Sequence, residues 1–116
     1  MITDEILKCI RACNDCAITC NYCAASCLNE NDPAELSRCI RLDLECAAIC
    51  RATSELLSLG TGFTTSVCRV CAAICKACAE ECDHHAQMGM EHCRECAHAC
   101  RICAAACEEI SQLEFE

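Results

Sequence analysis

The cysteines of this chain recur at a spacing that places many thiols on one side of a helix. From Cys9 to Cys27 they occupy positions 9, 13, 16, 20, 23 and 27, so the gaps alternate between four and three residues. An inward-facing helical seam in a bundle repeats its apolar residues roughly every 3.5 positions, which is the same rhythm. Ile2 and Ile6 continue the seam backwards with ordinary apolar residues. Such a row of thiols favours the binding of a soft metal ion.

The same rhythm occurs in two later segments and more weakly in a third. The segments 68–82 and 93–107 each contain five cysteines with gaps of 3, 4, 3 and 4, and they are offset by 25 residues. The weaker version lies between the first and second runs and consists of Cys39, Cys46 and Cys50. Four helices that point their thiols inward would enclose a lumen lined with sulfur. The candidate metal ligands are therefore all nineteen cysteines: Cys9, Cys13, Cys16, Cys20, Cys23, Cys27, Cys39, Cys46, Cys50, Cys68, Cys71, Cys75, Cys78, Cys82, Cys93, Cys96, Cys100, Cys103 and Cys107.

Four predicted helices position these seams. Thr3 is a plausible N-cap of the first helix, and Asp32 with Pro33 precedes the second. Gly60 ends the second helix, and Gly89 separates the last two. The predicted helices span approximately 4–29, 33–59, 63–86 and 90–113. Short loops between helices of similar length predict an all-α, antiparallel up-down-up-down four-helix bundle, with a cysteine-lined core, as a single domain over residues 1–116.

Composition excludes several classes of protein. The net charge of −9 in 116 residues speaks against nucleic acid as a partner. No uncharged stretch reaches the roughly 18 residues that a membrane span needs. The first residues lack a basic region followed by an apolar run, so we expect a cytoplasmic protein whose thiols stay reduced. Nineteen is an odd number, which rules out complete internal pairing into disulfides.

The spacing of the cysteines favours Cu(I) among the soft metals. Two thiols three residues apart lie on one helix face and can hold an ion that accepts two or three ligands, as Cu(I) does. Structural zinc needs closed four-ligand sites, which a continuous seam does not isolate, although a zinc cluster stays open. The six Cys-x-x-Cys pairs are Cys13/Cys16, Cys20/Cys23, Cys68/Cys71, Cys75/Cys78, Cys93/Cys96 and Cys100/Cys103.

Other cysteine chemistry fits the sequence less well. A gap of three is never followed by another gap of three, and no proline follows a cysteine, unlike ferredoxin-type iron–sulfur motifs. A thioredoxin-like site needs one activated pair in a βαβ setting, and here there are six pairs and no predicted strand. We find no constellation of nucleophile, base and orienting group, so the chain is not expected to be an enzyme.

The cysteine-rich segments CNDCAITCNYCAASC, CRVCAAICKAC and CRECAHACRICAAAC resemble those of the bacterial copper storage proteins, a family of four-helix bundles. The resemblance covers nearly the whole chain and points to the branch without an export signal. It implies cytosolic storage and detoxification of many Cu(I) ions, all nineteen cysteines as the thiol lining, and assembly into homotetramers. The second helix has fewer cysteines, and Asp43, one turn from Cys39, departs from a thiolate lining. A general buffer of zinc, mixed soft metals or thiols is the alternative.

The two ends of the predicted bundle differ in chemistry. The end with the 1–2 and 3–4 loops collects His84 and four residues that we call the mouth: His85, Met88, Met90 and His92. Imidazole and thioether bind Cu(I) more weakly than thiolate, so the mouth is predicted to admit copper. His98 lies off the seam and is expected at the surface. The opposite end is predicted to hold an apolar plug of Ile2, Ile6, Leu56, Leu57, Leu59, Phe63, Val67, Ile110, Leu113 and Phe115.

Overall fold

A computed structural model describes residues 2–113, which form four α-helices joined by short connections. A single 3₁₀ turn, Pro33–Leu36, precedes the second helix. Residues in the described range form no strand. The helices are α1 (Asp4–Leu28), α2 (Ser37–Ser58), α3 (Thr64–Ala86) and α4 (Glu91–Gln112).

The four helices form a square bundle in which each helix packs against two others. α1 contacts α2 and α4, and α3 also contacts α2 and α4. Within residues 2–113 the backbones of the diagonal pairs do not approach each other. The bundle measures 48 × 20 × 19 Å, so its long axis runs along the helices. The predicted all-α, antiparallel up-down-up-down topology is confirmed. None of the helices in the described part of the chain is long and apolar enough to cross a membrane.

The helix boundaries follow from local chemistry. The Thr3 hydroxyl accepts a hydrogen bond from the backbone N–H of Ile6 at 3.1 Å, and Asp4 and Glu5 lie in the first turn, where the helix dipole favours negative charge. Gly89 has φ of +94°, a left-handed conformation that glycine adopts easily, and it breaks the chain between α3 and α4.

The start of the second helix differs from the sequence prediction. The α-helix begins at Ser37, because the residues after Pro33 form a 3₁₀ turn. Asp32 makes no side-chain capping bond. Proline fixes its own φ and has no N–H, and short 3₁₀ turns are common where helices begin. The effect is a tighter turn that carries Leu36 into the core.

Small residues beside the thiols bring the helices close together. Ala47, Ala72, Ala97 and Ala104 are buried between the cysteine positions. A methyl side chain occupies little space at a helix contact, so sulfur atoms fill the axis of the bundle. The core is therefore built mainly from thiols and alanines, with larger apolar residues near its ends.

The apolar plug is smaller than predicted. Ile6, Leu57 and Ile110 are buried and close the end of the lumen. Leu56 and Val67 are partly buried. The remaining described members, Ile2, Leu59, Phe63 and Leu113, are exposed, and Phe115 lies outside the described residues. Leu59 and Phe63 flank the α2–α3 turn, where the chain leaves the helical register and points their side chains outward.

Candidate metal centre

The four seams meet along the axis of the bundle. All nineteen predicted cysteine ligands are free thiols with 0% exposure. The alternating gaps of three and four keep each row on one helix face, and the bundle turns all four faces inward. The structure thus brings the predicted thiols into one continuous buried column.

Within this column, thiols from different helices lie close enough to share a metal ion. In each of five groups of four cysteines, the sulfur atoms all lie within 4.8 Å of one another. Every one of these groups draws on at least three helices. The groups are Cys13/Cys71/Cys103/Cys107, Cys16/Cys46/Cys50/Cys75, Cys16/Cys20/Cys46/Cys100, Cys20/Cys78/Cys96/Cys100 and Cys23/Cys27/Cys39/Cys93.

Several thiols belong to more than one group. Cys16, Cys20, Cys46 and Cys100 each occur in two of the five groups. The sulfur of Cys100 lies 3.8 Å from that of Cys16 and 3.7 Å from that of Cys20. A thiolate in such a position can bridge two neighbouring ions. The arrangement therefore favours a chain of linked sites over separate closed ones.

Within these five groups, the two thiols from one helix are not a Cys-x-x-Cys pair. In each of the five groups, the two cysteines from the same helix are four residues apart, as in Cys16/Cys20 and Cys23/Cys27. Successive helical residues rotate by about 100°, so positions four apart differ by about 40° around the axis and positions three apart by about 60°. Within these groups, two thiols four residues apart therefore point in more similar directions from the helix than the two thiols of a Cys-x-x-Cys pair.

Asp43 lies inside the thiol column, a place that its sequence position alone did not predict. Its side chain is fully buried, and its Oδ1 atom accepts hydrogen bonds from the thiols of Cys78 at 3.2 Å, Cys96 at 3.3 Å and Cys82 at 3.5 Å. The thiol of Cys39 lies 3.9 Å from Oδ2. Burial, and then the neighbouring thiols, raise the pKa of Asp43 to about 11. The carboxyl group is thus neutral at pH 7 in the metal-free protein.

The spacing of residues along the second helix could have placed Asp43 in the column. Positions 39, 43, 46, 50, 53 and 57 repeat the gaps of four and three seen in the cysteine-rich helices. Asp43 and Thr53 therefore occupy seam positions that are cysteine in the other helices. Thr53 is also fully buried, and its hydroxyl has no hydrogen-bond partner within the described part of the chain.

Burial and hydrogen bonding between thiols shift the pKa values of the column in both directions, and at Cys46 and Cys103 hydrogen bonding to neighbouring thiols lowers the pKa. Burial raises the pKa of the Cys27 thiol to about 12. Hydrogen bonding to neighbouring thiols, together with burial, also raises the pKa of Cys100. Since metal binds the thiolate, each thiol that is still protonated must release its proton when it becomes a ligand. Metal binding to this site is therefore coupled to proton release.

Of the mouth residues, His92 contacts the thiol column with a ring nitrogen. Its Nδ1 atom is 3.5 Å from the sulfur of Cys93, 3.6 Å from that of Cys23 and 3.9 Å from that of Cys27. Its Nε2 atom is 2.8 Å from Oε2 of Glu30. The imidazole therefore spans the distance between the thiols and the α1–α2 loop.

The other predicted mouth residues differ in depth. His85 is buried, and Met90 is partly buried against the core. Met88 is 62% exposed, so it lies at the outer rim. His84, which the sequence left open, is exposed beside His85 in a surface depression between the two loops. His98 is exposed in the middle of α4, as predicted.

The fold and the site together define a helical metal-binding protein whose ligands are thiols enclosed in the bundle. The chain belongs to the copper storage protein family, because the model of that family matches residues 2–112.

Solved structures resemble the chain over nearly its whole length. A cytosolic copper storage protein from Streptomyces lividans, loaded with five coppers, is 44% identical with a TM-score of 0.92, and the match covers 96% of this chain and 95% of that chain. The same protein loaded with 10 copper equivalents is 46% identical with a TM-score of 0.90, over 93% of this chain and 84% of that chain.

Two further structures resemble the chain almost as closely. The Cu(I)-bound copper storage protein BsCsp3 is 41% identical with a TM-score of 0.87, over 93% of this chain and 99% of that chain. The metal-free copper storage protein 3 from Bacillus subtilis is 41% identical with a TM-score of 0.81, over 90% of this chain and 96% of that chain.

A curated relative matches a shorter part. It is an uncharacterized cysteine-rich protein, YhjQ, from Bacillus subtilis strain 168, and it is 43% identical over 60 residues. The match covers 52% of this chain and 56% of that protein, so the chain spans little more than half the length of this relative.

Proposed function

We propose that this chain stores many Cu(I) ions as thiolate complexes in the column enclosed by its four helices and so limits the toxicity of free copper. The observation that carries this proposal is that nineteen fully buried thiols form overlapping groups. Cu(I) accepts two or three thiolates, and thiolates can bridge adjacent ions. The family membership and the copper-loaded Streptomyces structures support the same function.

The overlap between groups favours copper over zinc. A structural zinc ion needs four ligands of its own, so nineteen thiols complete at most about four separate zinc sites. With two thiolates per ion and two ions per thiolate, copper uptake approaches one ion per cysteine, on the order of twenty per chain. A general soft-metal or thiol buffer is the second candidate, because each four-thiol group also has a composition that suits zinc.

Parallel titrations distinguish the two candidates. Fully reduced protein is titrated anaerobically with Cu(I) in the presence of a competing chelator, and a second sample is titrated with Zn²⁺ in the same way. We expect on the order of twenty Cu(I) and only about four Zn²⁺ per chain, with copper held against the stronger competitor. Saturation below about eight Cu(I) per chain would refute storage in a lined column.

We also propose that copper passes through the mouth formed by His85, Met88, Met90 and His92. The support is the order of their depths, from exposed Met88 to His92 beside the first thiols. Weak neutral ligands outside strong thiolates allow an ion to enter and then move inward.

Replacing the four mouth residues with alanine or leucine tests this path. We expect slower loading and slower removal of copper by a chelator, with nearly unchanged total capacity. His98→Ala is the matched control, since His98 is an exposed histidine outside the mouth. Unchanged rates in both directions would place the path elsewhere, with the apolar end as the next candidate.

The remaining features of the proposal concern the whole protein. We propose a single domain over residues 1–116, a cytoplasmic location, assembly into homotetramers, no catalytic activity, and no nucleic acid or membrane partner. The description of the Streptomyces protein as cytosolic supports the location, and the net charge of −9 opposes nucleic acid binding. Light scattering coupled to size-exclusion chromatography measures the oligomer, and a monomeric mass would refute the tetramer.

A further inference from the structure

Both mouth histidines bind a carboxylate with the same ring nitrogen. Nε2 of His92 lies 2.8 Å from Oε2 of Glu30, and Nε2 of His85 lies 2.8 Å from Oε2 of Glu81. Glu30 is in the α1–α2 loop and His92 is at the start of α4, whereas Glu81 and His85 are one turn apart on α3. Two unrelated backbone positions therefore produce the same pairing.

Among the described residues, the opposite nitrogen of neither histidine hydrogen-bonds an oxygen or another nitrogen atom. Nδ1 of His92 faces the sulfur atoms of Cys93, Cys23 and Cys27 at 3.5–3.9 Å. Nδ1 of His85 is buried and has no partner in the described part of the chain, and the residue is only 6% exposed. A buried polar nitrogen without a partner is costly, so it needs an explanation.

The chemistry of the carboxylate determines which ring nitrogen carries the hydrogen. A neutral imidazole has one N–H group and one nitrogen with a free lone pair, whereas an ionised carboxylate only accepts hydrogen bonds. A carboxylate at Nε2 therefore holds the hydrogen there and leaves the lone pair on Nδ1. A copper ion binds a ring nitrogen through such a free lone pair, so Nδ1 is the atom available to it.

We propose that Glu30 and Glu81 are positioning residues that present the Nδ1 lone pairs of His92 and His85 to incoming Cu(I). This inference rests on the proposed storage of copper and on the proposed mouth. Each carboxylate fixes both the ring orientation and the position of the N–H hydrogen before the metal arrives. The two histidines then bind an ion without first rotating or exchanging that hydrogen.

Further contacts hold the two carboxylates in place. Arg38 on α2 places its Nε atom 3.3 Å from Oε1 of Glu81, so this glutamate joins α2 to His85 on α3. The backbone N–H of Glu30 donates to the carbonyl oxygen of Cys27 at 3.2 Å, which fixes the loop just after α1. The position of each histidine therefore depends on a second helix or loop as well as its own.

A simpler explanation is that these glutamates only attract copper through their charge. Glu35 provides the matched control, because it is exposed and lines the same surface depression as Glu30 and His85. Glu35→Gln removes the same charge as Glu30→Gln or Glu81→Gln, without changing a group that hydrogen-bonds a histidine. Glutamine keeps the size of glutamate, but its amide both donates and accepts and no longer fixes the ring.

The first measurement uses metal-free, reduced protein and long-range ¹H–¹⁵N NMR spectra, which distinguish the two histidine tautomers. In the unsubstituted protein we expect the Nε2–H form at both His85 and His92. Glu30→Gln should shift the tautomer balance of His92 alone, and Glu81→Gln that of His85 alone. Glu35→Gln should change neither. The Nδ1–H form at either histidine of the unsubstituted protein would overturn the proposal, and this result does not depend on any variant folding.

The second measurement follows Cu(I) transfer from a chelator by stopped flow. Loss of a carboxylate that orients a metal-binding histidine typically costs 10- to 100-fold in metal affinity or activity, so we expect loading to slow by about tenfold in Glu30→Gln and Glu81→Gln, with unchanged capacity. In a His92→Ala background, Glu30→Gln should add no further slowing.

Two kinetic results would refute positioning. Equal slowing by Glu35→Gln would show that charge alone acts, and full slowing by Glu30→Gln in the His92→Ala background would show that Glu30 does not act through His92. These outcomes are distinct from failure of the storage function. Storage fails if the unsubstituted protein binds few copper ions, whereas the tautomer measurement needs no copper.

Discussion

The carboxyl group of Asp43 makes the stability of the metal-free protein depend on pH. Its pKa is raised to about 11 by burial first and then by the thiols of Cys96, Cys78 and Cys39. In the unfolded chain the same group ionises near its ordinary value of 3.8. At pH values between these two pKa values, folding is therefore accompanied by proton uptake at Asp43. The stabilising contribution is complete below the unfolded pKa and is lost as the pH rises towards the folded one.

Asp43→Asn should remove this dependence. The free energy of unfolding of reduced, metal-free protein is measured by urea denaturation between pH 5 and pH 7. We expect the original protein to lose up to about 1.4 kcal/mol per pH unit relative to Asp43→Asn. Asp15→Asn, at an exposed position on α1, is the control and should keep the original slope. Parallel curves for the original protein and Asp43→Asn would mean that Asp43 is ionised in the folded state.

The burial of the thiols in one column could be predicted from the sequence, whereas the contacts of Asp43 and His92 could not. The positions of the thiols follow from helical periodicity, which is local. The partners of Asp43 lie on α3 and α4 as well as α2, so they exist only after the bundle forms. The same holds for the contact between His92 and Glu30, whose positions are 62 residues apart.

The buried side chain of Thr53 provides a test of how α2 packs in the bundle. Its hydroxyl is fully buried and has no hydrogen-bond partner among residues 2–113, which costs free energy because water hydrates it in the unfolded chain. Thr53→Val keeps the shape and removes the hydroxyl. We expect the unfolding free energy of reduced, metal-free protein to rise by about 1–3 kcal/mol, as measured by urea denaturation.

Thr53→Ser is the control for that prediction, because it makes the opposite change to the side chain. It keeps the hydroxyl and removes the methyl group, so it should lower stability by the loss of a buried methyl, about 1 kcal/mol. A less stable Thr53→Val variant would show that the hydroxyl has a partner in solution, such as a buried water molecule.

Helix positions were predictable wherever a local signal exists. Thr3 caps α1 through its own side chain, and Gly89 breaks the chain through its backbone conformation. The start of α2 was not predictable in the same way. Pro33 permits either an α-helical or a 3₁₀ first turn, and the choice here accompanies the burial of Leu36 against the finished core.

For the whole molecule, copper should stabilise a bundle that is already folded. Alanine-rich helices that pack along four faces do not need metal to form, but a thiol core buries less apolar area than one of leucine or isoleucine. We expect the metal-free protein to show a strongly helical circular dichroism spectrum. Copper should raise its melting temperature because only the folded state presents the assembled ligands.

Circular dichroism melts before and after copper loading check this prediction. A chelator that removes the copper should return the melting temperature to that of the metal-free protein. A metal-free chain that is a random coil and folds only with copper would contradict the view that the helices form the scaffold by themselves.

Complete burial of the nineteen thiols also determines how the metal-free protein reacts with thiol-modifying reagents. An alkylating reagent attacks an exposed thiolate, and none of these sulfurs is exposed while the bundle is closed. Modification then requires an opening motion, and its rate reflects the free energy of that motion rather than the intrinsic reactivity of the thiols. Because the seams interlock along one axis, opening one section exposes several cysteines together. Mass spectrometry would show this as molecules that carry either no alkyl groups or many.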